Sequence, residues 1–174
     1  MSDIENLKFP IGKFNTPNVI TNEHIKSWIE VIKSFPERLL SATEDLNEVQ
    51  LEKQYKPDGW TIRQVVHHCA DSHLNSFTRF KLALTEDKPV IKPYAEDLWA
   101  ELPDAKLPIA SSIKILEGIH ERWTALLESL TEADLERQFI HPENNELISL
   151  KQNIGIYAWH CNHHLAHVLI AKNN

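Results

Sequence analysis

The feature that most restricts the fold of this chain is the dominance of helical spacing among its apolar residues. Ile25, Trp28, Ile29 and Ile32 recur at intervals of three and four, and so do Leu116, Ile119, Trp123, Leu126, Leu127 and Leu130. That spacing puts them on one side of an α-helix, whereas a half-buried strand would alternate. Clear alternating stretches are absent, and glycine is scarce, with four residues in 174. Two helix starts are written as capping boxes, Thr61-Ile62-Arg63-Gln64 and Ser149-Leu150-Lys151-Gln152. In such a box the hydroxyl accepts from the third helical amide while the Gln side chain reaches back.

These signals predict four main helices. The first begins near Asn22 and is interrupted at Pro36, which has no N–H for the preceding turn, before resuming through Leu39, Leu40 and Leu46. The second runs from residue 62 to about 84, with Val65, Val66, Cys69, Phe77 and Phe80 on its core face. The third covers about 111–130. The last follows Ser149 to about 171, with Leu150, Ile154, Tyr157, Cys161, Leu165 and Val168 inward. Residues 1–20, with Pro10, Gly12 and Pro17, read as an extended arm, and 138–148 as irregular. Residues 86–110 hold Pro89, Pro93, Pro103 and Pro108, a long connection that is either a plain crossover or a lid carrying Tyr94, Glu96, Asp97 and Trp99. The expected architecture is all-α: one domain over 1–174, a four-helix bundle with one long crossover.

The net charge of −7 argues against nucleic acid, whose phosphates require a basic surface. No apolar run approaches the roughly 18 residues of a membrane span. The polar start, Met1 to Asn6, lacks the pattern of a secretory signal. Cys69 and Cys161 then read as reduced thiols, and the cytoplasm is the expected compartment.

The chemistry is carried by histidines, ten in all. His160, His164 and His167 fall at i, i+4 and i+7 and stack along one face of the last helix. Two imidazoles one turn apart can share a metal ion. The second helix offers His67, His68 and His73. Periodicity places His73 at the centre of the apolar face, His67 on its flank and His68 on a polar stripe with Ser72, Asn75 and Arg79, and does not choose among them. His163 is expected to be solvated, and His24, His120 and His141 to be surface or structural residues. Two histidines from one helix and one from another would leave a metal position open, as in catalytic zinc sites. A metal so held brings the pKa of its water to about 7 or binds a thiol as thiolate. Asp71 is a candidate for orienting the imidazoles from behind.

Longer stretches carry a resemblance. They are Phe9-Pro10-Ile11-Gly12; Tyr55 with Pro57-Asp58-Gly59-Trp60-Thr61; the run from Ile62 to His68; Ala70-Asp71-Ser72-His73; Arg79-Phe80-Lys81-Leu82; Ile91-Lys92-Pro93-Tyr94; Glu117-Gly118-Ile119-His120-Glu121-Arg122-Trp123; Tyr157-Ala158-Trp159-His160; and His163-His164-Leu165-Ala166-His167. Together they resemble the DinB-like superfamily, specifically its YfiT branch, over nearly the whole chain. The resemblance implies a four-helix bundle, a three-histidine site for zinc or nickel, and a homodimer. In the superfamily the first ligand follows the helix-opening Trp by eight residues, which from Trp60 is His68. The C-terminal pair maps onto His160 and His164, with His167 a flanking residue. Cys69 and Cys161, each beside a ligand in sequence, are expected to pack rather than ligate. The activity implied is hydrolysis of a small molecule by metal-activated water. The alternatives are transfer of a low-molecular-weight thiol of the bacillithiol type to an electrophile, with Arg79 or Arg63 receiving the thiol's carboxylates, and a non-catalytic metal-binding stress-response domain.

Overall fold

The computed structural model describes residues 3–143 and 145–174. Its elements are α1 (Asp3–Lys8), α2 (Asn22–Thr43), α3 (Glu48–Leu51), α4 (Ile62–Thr85), α5 (Glu96–Trp99), a 3-10 turn (Pro103–Lys106), α6 (Ala110–Glu128), α7 (Glu132–Leu135), β1 (Gln138–His141), β2 (Glu146–Ser149) and α8 (Leu150–Asn173). The four long helices, α2, α4, α6 and α8, form the bundle. Both α2 and α4 pack on α6 and on α8, so α2 stands diagonally opposite α4, and α6 opposite α8. Helices consecutive in sequence are therefore not always neighbours, unlike a simple up-and-down bundle. None of the described helices is long and apolar enough to cross a membrane.

The Thr61 box forms as expected: the hydroxyl accepts from the Gln64 amide at 3.2 Å, and the Thr61 amide donates to Gln64 Oε1 at 3.0 Å. Only the first half of the Ser149 box forms, with Ser149 Oγ accepting from the Gln152 amide; the Gln152 side chain turns to Thr16 instead. The core is continuous through the four helices and includes Ile32, Phe35, Leu39, Phe80, Leu116, Trp123, Ile154 and Val168. Burying each such side chain contributes roughly 1.5–3 kcal/mol against the entropy of ordering it.

Four expectations are corrected. Pro36 does not interrupt the first helix: α2 runs through it and buries it, because Phe35 and Leu39 on either side are fully buried and tertiary packing outweighs one lost helical bond. The N-terminal arm is not wholly extended, since residues 3–8 form a helical turn and a half. Residues 138–148 are not irregular: β1 and β2 form an antiparallel hairpin with Phe139 opposite Ile148. The hairpin also holds the crossover. The Ile91 amide donates to the Ile140 carbonyl at 3.0 Å, and the Ile140 amide to the Pro89 carbonyl at 2.9 Å. Finally, His163 is buried rather than solvated, with its ring stacked on Trp159 at 4.3 Å and tilted against Phe9 at 6.0 Å.

Candidate metal centre

The site lies between α4 and α8. Both helices are anchored at their starts by side-chain caps, and their histidines sit well inside them, about two turns in for His68 and about three and four for His160 and His164, on regular helical backbone. His68, His160 and His164 each bring a ring nitrogen within 4.8 Å of the others. His68 Nε2 and His160 Nε2 face each other at 3.2 Å. Two imidazole nitrogens at that distance need a shared hydrogen or a metal ion between them. Four ligands at bonds of about 2.0–2.1 Å stand about 3.3 Å apart in a tetrahedral site, so the spacing suits such an ion.

The structure separates the three histidines of α4. His67 is fully engaged: its Nε2–H donates to the Leu107 carbonyl at 2.9 Å, and its Nδ1 accepts from Ser112 Oγ at 2.7 Å. His73 is also engaged, between His120 and His160. His68 is the one that faces the C-terminal pair.

His160 is tied to the centre of the bundle. His160 Nδ1 lies 3.0 Å from His73 Nε2, His73 Nδ1 lies 2.7 Å from His120 Nε2, and His120 Nδ1 lies 2.6 Å from the Ile32 carbonyl. His120, expected to be a surface or structural residue, takes a structural place: it closes this chain, because α6 packs directly on α4. One signal for it is present in the sequence: a proline inside a helix leaves a carbonyl in want of a donor.

A second group, His163, His164 and His167, also gathers its ring nitrogens within 4.8 Å. It shares His164, and the Nδ1 atoms of all three rings are buried without a hydrogen-bond partner. His167 Nε2–H donates to the Lys8 carbonyl at 3.3 Å, and its ring stacks on Tyr55 at 3.8 Å. Trp60 covers the site from outside, its ring 4.6 Å from that of His68 and 6.4 Å from that of His164. Asp71 is half-buried, and no hydrogen bond joins its carboxylate to an imidazole among the described residues.

Burial sets the protonation of these rings. It holds His68 at about 4, with His167 adding to the shift, and holds His160 and His164 well below the usual imidazole range. The neutral ring is the form that binds a metal. Cys69 and Cys161 are fully buried, and burial pushes both thiols up, so they stay protonated and serve packing.

Two clefts meet at this point. One of about 670 Å³ is lined by Ser72, Arg79, Tyr94, Tyr157 and His160, and one of about 510 Å³ by Tyr55, Trp60, His68, His164 and His167. Glu96 and Asp97, at the start of α5, line both clefts, as does His160. The long connection therefore walls the site. Burial, then Asp97 and Glu143, push the Glu96 carboxyl up. The two arginines differ. Arg63 is neutralised by Glu48 at 2.6 Å and Glu52 at 2.7 Å. Arg79 Nε is buried without a hydrogen-bond partner.

The family model of the DinB superfamily matches residues 32–168. A protein of Bacillus mycoides (strain KBAB4) named "Putative metal-dependent hydrolase" is 52% identical over 165 residues, 95% of each chain. One of Bacillus cereus (strain 03BB102) with the same name is also 52% identical over 95% of each chain. Among solved structures, YfiT from Bacillus subtilis, described as "a probable metal-dependent hydrolase with an unusual four-helix bundle topology", superposes with a TM-score of 0.91 at 46% identity, covering 94% of each chain.

Proposed function

The chain belongs to the DinB superfamily, and we propose that it is a metal-dependent hydrolase of small molecules in which His68, His160 and His164 hold one zinc or nickel ion. The observation that carries this reading is the convergence of three neutral imidazoles from two helices, two buried and His160 partly so, beside an open cleft. An all-nitrogen donor set suits zinc and nickel and leaves calcium or magnesium poorly served. When bound, the ion supplies Lewis acidity that makes water nucleophilic near neutral pH.

The chain's own groups supply the rest. Trp60 rests on His68 and limits its rotation. The Tyr157 hydroxyl donates to the Ser72 carbonyl at 3.2 Å, which holds the phenol in the wall of the larger cleft. Glu96, exposed where it lines both clefts and with its carboxyl pushed up, is the carboxylate we assign to take a proton from water there. The larger cleft lies within the range of about 300–1,000 Å³ that holds small ligands.

Thiol transfer is the second reading, and Arg79 favours it. A guanidinium Nε buried without an acceptor is costly unless a ligand supplies one, and the carboxylate of a thiol cosubstrate would do so.

Metal content by elemental analysis of wild type and His68→Ala, followed by turnover on a panel of esters and amides, tests the proposal. We expect about one zinc or nickel per chain in wild type, loss of metal in the variant, and hydrolysis only by the loaded protein. Metal with no hydrolysis but with thiol consumption would select transfer. Metal retained in His68→Ala would refute the ligand set.

A further inference from the structure

In a regular helix the carbonyl of Ile32 would accept from the amide four residues on. That residue is Pro36, which has no N–H. α2 continues regardless, and the freed carbonyl lies at a fully buried position in the middle of the bundle. His120 Nδ1 sits 2.6 Å from it. A carbonyl oxygen only accepts, so Nδ1 carries the hydrogen. The neutral ring then has a bare Nε2, which must accept from His73 Nδ1 at 2.7 Å. His73 Nε2 is bare in turn and must accept from His160 Nδ1 at 3.0 Å. The opposite polarity would press the lone pair of His120 Nδ1 against that of the carbonyl. Phe35 lies against both the His73 and the His120 ring, at 5.1 and 5.6 Å, and Trp123 contacts both edge-on. Neither ring is free to turn.

We propose that Pro36, His120 and His73 are positioning residues that form a tautomer lock, fixing His160 in its Nδ1–H form so that its Nε2 lone pair is held toward His68. This inference rests on the proposed function in taking His160 Nε2 as a ligand atom. Each long helix contributes one link: Ile32 from α2, His120 from α6, His73 from α4 and His160 from α8. Their order follows the packing order of the bundle. The inner end is a carbonyl, which takes a hydrogen bond but carries no proton away, so the chain orients a ligand and is not a path for protons. A hydrogen-bonded second nitrogen also makes an imidazole a better donor to a metal.

Two measurements on the full chain test the lock. Nitrogen NMR of the metal-free wild type should find His73, His120 and His160 all as Nδ1–H, the form that a free neutral imidazole disfavours. Nε2–H in any of the three overturns the proposal, and this readout needs neither a variant nor a metal. Zinc affinity by chelator competition should then fall about 10- to 100-fold in His120→Leu. It should stay within about threefold of wild type in His120→Gln, whose amide N–H can serve Ile32 and whose carbonyl can serve His73. Equal affinities in the two folded variants would overturn the lock. If wild type binds no zinc, the proposed metal site fails, and the tautomers still judge the lock by themselves.

Discussion

The histidines of this protein form two neighbouring regions with opposite hydrogen-bond economies. In the inner one, His73, His120 and the Nδ1 side of His160 have every ring nitrogen matched at 2.6 to 3.0 Å, ending on a backbone carbonyl. In the outer one, His163, His164 and His167 are just as buried, yet each leaves Nδ1 without a partner. The difference follows from what surrounds them. The inner rings come from three long helices and meet the fourth, which offers a carbonyl released by proline. The outer rings meet the N-terminal arm, Tyr55 and Trp60, which offer aromatic faces and the Lys8 carbonyl. Burial alone therefore does not define a role for an imidazole. The inner set is complete and rigid, whereas the outer set retains unused donor and acceptor capacity beside an open cleft.

Breaking the inner chain should have the largest effect. His73→Leu leaves His120 Nε2 and His160 Nδ1 without partners, at roughly 2 kcal/mol each, so urea unfolding of the metal-free protein should show a loss of about 4 kcal/mol. A loss under about 1 kcal/mol would mean that the two regions do not differ energetically.

Acid comes next. Burial holds His120 at about 4, below its ordinary 6.5. Between those values the unfolded chain binds the proton and the folded chain does not, so stability falls as pH falls. The contribution is fully present above about pH 6.5 and is lost progressively toward pH 4. Between pH 7 and 4.5 this one ring accounts for about 2–3 kcal/mol. The slope of unfolding free energy against pH should flatten in His120→Leu; an unchanged slope would assign the acid sensitivity elsewhere.

The outer region should respond least. His163→Phe keeps the stack on Trp159 and removes an unpartnered buried nitrogen. Its unfolding free energy from urea titration should fall by under about 0.5 kcal/mol, or rise, since removing an unsatisfied group can be neutral or stabilising. A loss comparable with that of His73→Leu would erase the contrast.

Much of the bundle is written in local pattern. The Thr61 box forms with both of its bonds, and the one-turn spacing of His160 and His164 brings their rings to 4.3 Å. The buried thiols follow from their place on apolar faces. Other features escape such reading for physical reasons. The hairpin strands are four residues each, too short for a period of two to register. Pro36 looks like a break because helix propensity is a local quantity, while the packing of Phe35 and Leu39 is not. His163 looks solvated because the N-terminal arm that covers it is distant in sequence.

The sequence by itself determined four long helices, the caps that start two of them, and a row of imidazoles on one face of the last, because these depend on spacing within a few residues. Spacing left open which histidine of α4 faces that row and the family resemblance named His68; only the tertiary structure decided that His120 stands behind His73 and that Glu96 reaches both clefts. Those choices depend on which helices are neighbours and on where a carbonyl far along the chain is left without a donor. Residue spacing along one helix carries no information about either.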